Sequence, residues 1–318
     1  MTASPTMDHV EKVMQTAASN SAAARSRLAA SWRRSVVKHG LDPSERGAAH
    51  IIDAPTLGRR QRKHARFMTV AAPRLDRLYS LLGASGCAVF LTDTDGVILD
   101  QRLADGDRPA FESWGLRPGA DWSEAREGTN GIGTCLAENR SLIIHRDEHF
   151  YARNIAMSCI DAPIYGPDGQ LVAALDVSSA RADQTEGFNR LIAAQVTQTA
   201  RAIEEAHFRA TYACERIVMG DAGDSDAAVL LAIDDDDLVV GATREARRLF
   251  DLGADAFAPR PAADLLGHEE DAKGFEKAER TVVVRALART GGNVSEAARS
   301  LGVGRATLYR RMKRLGLT

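Results

Sequence analysis

Side chains able to bind phosphate are concentrated near the C-terminal end of the chain. The segment RATLYRRMKR, residues 305–314, supplies five cations, a threonine and a tyrosine. Guanidinium and ammonium groups form short, charge-assisted hydrogen bonds with phosphate oxygens. Residues 273–318 carry 11 Lys and Arg against 3 Glu, a local net charge of +8, although the formal net charge of the whole chain is −2. This asymmetry indicates a polyanionic partner for this end of the chain.

A second group of side chains has the composition of a small-molecule site. It surrounds the glycine-rich segment EGTNGIGT, residues 127–134, which has no lysine and is therefore not a phosphate loop. Hydroxyl and amide groups could bind a small polar organic molecule that packs on neighbouring apolar side chains. A filled core without a ligand explains the same residues equally well. The candidate ligand-contacting residues are Trp122, Thr129, Asn130, Thr134, His145, Phe150, Met157 and Cys159.

Other chemistries find weaker support. His145, His149, Cys135 and Cys159 are metal-ligand types, but their spacing does not place them on one face, and we assign no metal or other cofactor. The cysteines have no Cys-x-x-Cys pair, and a redox role for Cys135 or Cys159 would need a lowered thiol pKa. Asp176, His145 and Ser178 lack any nucleophile motif, so we expect no enzyme activity. The cysteines are Cys87, Cys135, Cys159 and Cys214.

The phosphate-binding side chains lie on a predicted helix-turn-helix. Asn293 and Glu296 are placed to form a reciprocal N-terminal cap on a helix that ends at Leu301. The turn GVG follows, and Val303 should fill the corner between the helices. On the second helix an apolar stripe points inward and the cations point outward, which is typical of a recognition helix in a DNA major groove. An ordinary helical pair with a solvated basic face is the alternative. The apolar stripe is Leu308, Met312 and Leu315.

The remainder of the chain predicts helices followed by strands. Residues 1–20 are small and polar, which indicates a disordered, frayed terminus. Helical patterns cover 21–40 and 56–82, the second with a cation-rich start that we interpret as a solvated face. Strands are predicted at 87–93, 97–99, 142–145, 158–165 and 171–177, with turns at 93–96 and 166–169. Helices are predicted at 132–138 and 183–212, the latter closing one α/β segment.

An acidic segment separates this unit from the helix-turn-helix. Residues 215–271 hold 15 Asp and Glu against 5 Arg. Two short strands around an acidic turn and a helix, within residues 227–252, look like the first half of a PAS fold, and residues 253–273 have the composition of a linker. The predicted organisation is therefore a disordered terminus (1–20), N-terminal helices (21–83), a sensor domain (84–212), a half-PAS-like spacer and linker (213–272) and a DNA-binding domain (273–318).

Residues 275–317 resemble the Fis-type DNA-binding domain. The resemblance rests on a long first helix, then GGNVSEAARSLGV, then RATLYRRMKRLGL. It implies that Arg305 reaches bases, that Ser295 and Thr307 contact the DNA backbone, and that Arg310, Arg311 and Arg314 lie where phosphate contacts fall. Gly304 departs from the family, which often has a polar residue there. The predicted DNA-contacting residues are Ser295, Arg305, Thr307, Tyr309, Arg310, Arg311, Lys313 and Arg314.

Residues 21–212 resemble a GAF-containing sensor, more narrowly that of the acetoin-catabolism, sigma-54-dependent activators. The motifs are SWRRSVVKHGLDP (31–43), EGTNGIGTCLAE (127–138), HRDEHF (145–150) and MSCIDAPIYGPDGQLVAALDVS (157–178). The resemblance implies an α+β GAF-like fold, an antiparallel sheet with flanking helices, beside an all-α C-terminal domain. Those activators carry an ATPase module, whereas this sequence has no Gly-x-x-x-x-Gly-Lys-Ser/Thr loop and too little length for one.

These observations favour a ligand-responsive transcription regulator without ATPase activity that binds specific double-stranded DNA as a homodimer and contacts RNA polymerase. The helices around the sensor segment are the expected dimer surface. The alternative is a sensor or adaptor that acts through a protein partner, polymerase or an ATPase-bearing relative, with incidental DNA contact. No apolar run approaches the ~20 residues of a membrane span. The sequence lacks a signal peptide pattern, so we expect a cytoplasmic protein.

Overall fold

The computed structural model describes residues 5–47, 49–181, 185–220, 223, 227–235, 237–253, 259–266 and 274–317. The chain divides into two compact units, Met1–Pro259 and Arg260–Thr318. The first holds the predicted sensor and spacer, and the second holds the predicted helix-turn-helix. The predicted linker falls largely outside the described residues.

The first unit contains the predicted helices and strands in their predicted order, together with elements that the sequence did not predict. The elements up to the second strand are α1 (Pro5–Ala18), α2 (Asn20–Arg25), α3 (Arg27–Arg33), α4 (Ala54–Lys63), α5 (Ala65–Leu82), β1 (Cys87–Thr92) and β2 (Ile98–Arg102). The next are α6 (Arg108–Ser113), α7 (Glu124–Glu127), α8 (Gly131–Glu138), β3 (Leu142–His145), β4 (Ser158–Tyr165), β5 (Leu171–Ser179) and α9 (Glu186–Thr211). The unit continues with β6 (Arg216–Met219), β7 (Leu230–Ile233), β8 (Leu238–Ala242) and α10 (Arg244–Leu249).

An antiparallel sheet in the order β2-β1-β5-β4-β3 forms the centre of the sensor. Its register places Asp176 between Phe90 on β1 and Asp161 on β4. The hairpin between β4 and β5 turns at Gly169, whose φ of 77° is a left-handed conformation that glycine adopts without steric cost. The predicted antiparallel sheet with flanking helices is confirmed.

The two faces of the sheet bury different kinds of side chain. Alternate residues of β1, β4 and β5 pack against α5 and α9 in a largely apolar layer that includes Leu91, Ile160 and Val177. The opposite face lies under α8 and mixes apolar residues, such as Phe90 and Met157, with buried polar ones. The sheet carboxyls Asp161 and Asp176 lie on the α8 side, whereas Ser158 on β4 and Asn189 on α9 are polar residues buried on the α9 side.

The N-terminal segment is more ordered than the sequence predicts. The prediction of a disordered terminus is wrong for Pro5–Ala18, which forms α1, while residues 1–4 lie outside the described part of the chain. Val13 and Ala17, four residues apart, are buried beside Phe150 and Trp32. These contacts with residues far along the chain stabilise a helix that the small, polar composition of the segment does not predict.

Two predicted helices are interrupted. The helix expected over 21–40 breaks at Ser26, whose extended backbone ends α2 and whose hydroxyl accepts from the Ala29 N–H to begin α3. A π-helical turn, Arg34–Lys38, follows α3. The helix expected over 56–82 begins at Ala54 and divides at His64 into α4 and α5. The apolar periodicity continues across both breaks, so the pattern alone does not reveal them.

The spacer contains the predicted strand-turn-strand-helix in β7, β8 and α10, and also β6, which the sequence did not predict. These strands pair antiparallel in the order β6-β7-β8. Phe208 on α9 packs with Leu230 and Ala232 on β7, so the sensor's last helix contributes to the spacer core.

The second unit is small, and where it is described it consists of helices joined by turns, with one strand of two residues. Its elements are β9 (Arg260–Pro261), α11 (Ala262–Leu266), α12 (Gly274–Arg289), α13 (Val294–Ser300) and α14 (Arg305–Arg314). Within the described residues, none of the helices in either unit combines the length and apolar character that a membrane span requires.

Candidate DNA-contacting helix and sensor core

Local hydrogen bonds set the geometry at the start of α13. Asn293 Oδ1 accepts from the backbone N–H groups of Ser295 at 3.1 Å and Glu296 at 3.3 Å, as expected of an N-cap. The prediction that Glu296 forms the reciprocal bond is wrong, because the Asn293 N–H already donates to the Thr290 carbonyl at 3.0 Å. Glu296 Oε2 lies instead 3.5 Å from Asn293 Nδ2.

The turn between α13 and α14 is a Schellman-type C-cap. Gly302 has a φ of 68°, and the Val303 N–H donates to the Ala298 carbonyl at 3.0 Å. Val303 is half-buried against the helical core, which places it in the corner as predicted. Gly304 precedes α14 and offers no side-chain cap.

The turn directs one face of α14 inward and leaves the opposite face to solvent. Leu308, Met312 and Leu315 are buried against α12 and α13. The polar residues predicted to contact DNA are exposed, except that Ser295 and Thr307 are half-buried. The exposed residues are Arg305, Tyr309, Arg310, Arg311, Lys313 and Arg314.

An acidic side chain on α12 divides the cations of this face. Glu279 Oε1 lies 3.3 Å from Arg311 Nη1, and its other oxygen accepts from Arg314. At the other end of α14, the Arg305 guanidinium lies 5.7 Å from the centre of the Tyr309 ring. Arg310 and Lys313 have exposed side chains on the face between these two groups. Phosphate would have to compete with Glu279 for two of the cations.

In the sensor, the polar residues at the start of α8 are engaged with the protein itself. Asn130 Nδ2 donates to the carbonyls of Trp122 at 3.1 Å and Gly128 at 2.9 Å. Its Oδ1 accepts from the Gly133 N–H at 2.8 Å, so this amide is the N-cap of α8. Thr134 Oγ1 accepts from the Asn130 N–H at 3.3 Å.

A buried hydroxyl and ion-pair network joins α3 to α7 and α8. Ser31 Oγ lies 2.7 Å from Thr129 Oγ1 and donates to Glu124. Arg34 donates to Glu124 at 2.9 Å and to Glu138 at 3.1 Å. The hydrogen bond to Glu124 raises the pKa of the Arg34 guanidinium. A cleft of about 120 Å³ lies beside this network. Its lining includes Leu28, Ser31, Thr129, Thr134, Leu142 and Ile144.

A pair of carboxyl groups lies on the polar face of the sheet. Asp161 and Asp176 are cross-strand partners, and both are completely buried. Burial and the neighbouring Asp176 raise the pKa of Asp161 well above its ordinary value, and burial raises the pKa of Asp176 to about 7. Burial therefore favours the neutral, protonated form of both carboxyls, and the neighbouring charge strengthens this effect on Asp161.

Next to this pair lies a series of neutral side chains that can donate or accept hydrogen bonds. Ser178 Oγ donates to Asp176 Oδ2 at 2.8 Å, and Cys159 Sγ lies 3.3 Å from Ser178 Oγ. His149 Nε2 is 3.3 Å from Cys159 Sγ, and burial lowers the pKa of His149 to about 4, so its ring is neutral. Burial also holds the pKa of the Cys135 and Cys159 thiols well above the usual value, the opposite of what a reactive thiolate requires.

Comparison with known proteins agrees with both parts of this geometry. Residues 67–206 match the GAF domain family, and residues 274–315 match the family described as bacterial regulatory protein, Fis family. The chain contains a GAF domain and a Fis-type helix-turn-helix. In the Fis-type unit, the matched segment comprises α12, α13 and α14.

Three curated relatives are regulators. The acetoin catabolism regulatory protein of Cupriavidus necator is 34% identical over 243 residues, 74% of this chain and 36% of that protein. The acetoin dehydrogenase operon transcriptional activator of Bacillus subtilis is 31% identical over 156 residues, 48% and 25% of the two chains. The propane 2-monooxygenase operon transcriptional activator of Mycolicibacterium smegmatis is 29% identical over 177 residues, 55% and 29%. The chain thus spans between 25% and 36% of the length of these relatives.

One solved structure shares the fold. The Escherichia coli DhaR(N)–DhaL complex contains a chain that matches with a TM-score of 0.51 and 16% identity, covering 75% of this chain and 81% of that chain. At this identity the likeness concerns the fold alone.

The residues predicted to contact a ligand in the GAF domain lie in separate environments. Thr129 and Thr134 line the cleft beside α3. Trp122, Met157 and Cys159 belong to the apolar cluster under α8. The remaining predicted contacts face elsewhere: Phe150 packs on Trp32, and His145 Nδ1 lies 2.7 Å from Ser158 Oγ and 3.2 Å from Asn189 Nδ2.

Sequence reasoning missed the pairing of Asp161 with Asp176 in the GAF domain. Asp161 lies in a strand that is otherwise apolar, and Asp176 is two residues from Ser178 on the neighbouring strand. A charged residue at an inward position of a predicted strand was the available indication, since such residues are rarely buried without a partner. The Ser31–Glu124 contact gave no comparable sign, because 93 residues separate the two.

Proposed function

We propose that this protein is a cytoplasmic, ligand-responsive transcription regulator that binds specific DNA through α14 and acts without ATPase activity of its own. The carrying observation is the solvent face of α14, where five cations project from a helix held by its buried apolar side against α12 and α13. A cationic helix held at this angle by a glycine turn has the form of a recognition helix.

The geometry of α14 supports different roles for the residues along its length. Arg305 is at the first turn, where recognition helices contact base edges, and Tyr309 supports its guanidinium. Arg310, Arg311, Lys313 and Arg314 lie further along and supply charge for phosphates, with Ser295 and Thr307 beside the DNA backbone. Base contacts would provide the specificity and phosphate contacts most of the affinity.

One small helical unit contacts few base pairs, whereas a homodimer would contact a longer operator. Two half-sites about 34 Å apart, one helical turn of DNA, multiply the specificity of a single helix. Leu81 on α5 and Leu191 on α9 are 59% and 68% exposed on the helices that flank the sheet, which supports these helices as the dimer surface. A Leu81→Lys/Leu191→Lys variant should then shift from dimer to monomer in analytical ultracentrifugation.

The names of the relatives support a role in transcription. Two are called operon transcriptional activators, and one is called a catabolism regulatory protein. For this chain we propose contact with RNA polymerase, and a small-molecule effector bound by the GAF domain.

The test is a mobility-shift titration of the full chain on the DNA upstream of its own gene, at two salt concentrations. We expect binding that weakens steeply with salt, because phosphate contacts release counterions. Arg305→Ala should weaken specific binding by about 1–3 kcal/mol and leave nonspecific binding nearly unchanged. Arg190→Ala is the matched control, since Arg190 is an exposed helical arginine that pairs with Glu186 on α9.

Operator affinity that is the same in the Arg305 variant and in the wild type would contradict the role of Arg305. The structure also permits a second candidate, an adaptor that acts through a protein partner, because Glu279 already neutralises part of the cationic face. Weak binding with little salt dependence, unaffected by either arginine substitution, would favour the adaptor.

A further inference from the structure

Helix α4 and the first turn of α5 present a row of exposed cations. Its members are three or four residues apart, which places them on one face of a helix. Helical hydrogen bonding continues across the break between α4 and α5, because the His64 N–H donates to the Arg60 carbonyl and the His64 carbonyl accepts from the Met68 N–H. The row, which we call the α4 stripe, is Arg59, Arg62, Lys63 and Arg66.

Other side chains of α4 hold this helix on the sheet. Arg60 Nη1 lies 2.6 Å from Asp93 Oδ2 and 2.7 Å from Asp95 Oδ2, in the turn between β1 and β2. Gln61 Nε2 donates to the Leu99 carbonyl on β2 at 3.0 Å. The α4 stripe therefore projects into solvent from a helix whose position is fixed by contacts with the GAF sheet.

The α4 stripe lacks the carboxylate partners that other exposed arginines have. On α9, Arg190 and Arg209 each pair with a glutamate four residues earlier, at 2.6 Å and 2.9 Å. Among the described residues, no member of the α4 stripe forms an ion pair, and the two carboxylates of the β1–β2 turn are held by Arg60. Like charges on one helical face repel one another. A solvated face, the interpretation that the sequence favours, leaves this repulsion uncompensated.

We propose that the α4 stripe is a second DNA-contacting surface, which binds phosphates of the same duplex that α14 contacts. This inference rests on the proposed function as a DNA-binding regulator, and it adds a contact from the first unit of the chain. Phosphate contacts at the stripe would raise the affinity for DNA without adding sequence specificity.

The composition of the stripe favours phosphates over a protein surface. Within the described residues, no large apolar side chain is exposed between Ala54 and Arg66. The centre of a protein–protein interface, by contrast, is rich in apolar and aromatic side chains. From Arg59 to Arg66 a helix rises about 10 Å, roughly the length of three nucleotides along one DNA strand. The stripe is therefore long enough to face several phosphates at once.

A second surface would add to the limited free charge of α14. Glu279 already pairs with Arg311 and Arg314, so phosphate has to displace a carboxylate from two of the five cations of that helix. Two linked surfaces that engage one duplex bind more tightly than either surface alone, because the second contact is intramolecular. In this arrangement α14 would supply the specificity and the α4 stripe additional affinity.

The test is a titration of labelled duplex with the full chain, followed by fluorescence anisotropy over a series of salt concentrations. Two duplexes of equal length are compared, the DNA upstream of the gene and a scrambled sequence. Each phosphate contact contributes about 0.9 to the slope of log affinity against log salt. Arg59→Gln/Arg62→Gln/Lys63→Gln/Arg66→Gln should therefore weaken binding to both duplexes and make the slope shallower by about 3.6 when all four cations contact phosphates. The ratio of the two affinities should stay the same, because phosphate contacts carry no sequence information.

A matched pair of double variants separates direct contact from net charge. Arg59→Gln/Arg62→Gln should make the slope shallower by about 1.8. Arg190→Gln/Arg209→Gln removes two guanidinium groups from exposed positions of α9, where each is already paired, and should leave the slope nearly unchanged. Equal effects of the two double variants would overturn the proposal, because they would reflect the charge of the whole chain.

Two further results would overturn the proposal. One is a slope in the quadruple variant that differs from wild type by less than about 0.9, the contribution of a single phosphate contact. The other comes from poly-L-glutamate as a probe. Substitutions in the stripe that weaken the binding of this polymer and leave DNA affinity unchanged would assign the stripe to an acidic protein partner.

Arg305→Ala distinguishes this inference from the proposed function. Loss of preference for the upstream duplex in that variant, with no effect of the stripe substitutions, would retain the regulatory function and remove the second surface. A slope that depends on the stripe, with no effect of Arg305→Ala, would retain the second surface and remove the role of Arg305. Absence of duplex binding by the wild-type chain would overturn both.

Discussion

Replacement of Asp176 by Asn should make the sensor less sensitive to rising pH. In the folded protein this carboxyl is completely buried and is the cross-strand neighbour of Asp161. An amide of the same shape fills the same space and carries no charge. It can also donate to the Asp161 carboxyl, which lacks a donor in the wild type.

The magnitude follows from proton linkage. Burial raises the pKa of Asp176 from 3.8 to about 7. Between these values the folded protein retains a proton that the unfolded chain has released, so stability falls with rising pH by about 1.4 kcal/mol per unit. The loss begins above the unfolded pKa and is complete above the folded pKa, and over this interval it amounts to about 4 kcal/mol. The variant has no such proton, so its stability relative to wild type should rise by that amount between pH 4 and pH 8.

Urea unfolding at a series of pH values, followed by tryptophan fluorescence, measures this difference. Trp32 and Trp122 are both buried within the first unit and report on its unfolding. Asp93→Asn is the matched control, since loss of its ion pair with Arg60 should not produce a gain in stability as the pH rises. A difference between the Asp176 variant and wild type that is constant from pH 4 to pH 8, or that falls, would refute a buried Asp176 that keeps its proton to near neutral pH.

Three further substitutions test other contacts. Glu279→Gln releases two cations of α14 and should tighten DNA binding and steepen the log–log salt dependence by about 1, as counted in mobility shifts; an unchanged slope would contradict this role. Arg34→Met leaves the carboxylate of Glu124 without its cation and should cost about 3 kcal/mol in urea unfolding, whereas a cost below about 1 kcal/mol would mean the pair is unimportant. Gly131→Ala places a Cβ in a clash with Oδ2 of Asp161 and should destabilise by about 1–3 kcal/mol in urea unfolding, whereas the Cβ of Gly187→Ala meets nothing within 4 Å and should not destabilise.

The helix-turn-helix was predictable because its determinants are local. The Asn293 cap, the left-handed Gly302 and the apolar stripe of α14 lie within 23 residues of one another, and each acts through backbone geometry or helical spacing. The prediction of a reciprocal cap from Glu296 was wrong because it depended on whether the Asn293 N–H was free to donate to Glu296. Glu279 pairs with Arg311 and Arg314, which separates these two cations from Arg310 and Lys313. This separation depends on the packing of α12 on α14, so the sequence alone did not reveal it.

The sensor was predictable as an order of strands and helices, but not as a site. By itself the sequence determined the alternation of strand residues and the turns between strands, because each depends on neighbours in the chain. Only the tertiary structure decided that α1 packs on Phe150, that Ser31 reaches Glu124, and that Asp161 and Asp176 are buried side by side on neighbouring strands. Those outcomes depend on strand register and on contacts between residues far apart in sequence, and the burial that shifts their pKa values exists only once the layers are packed.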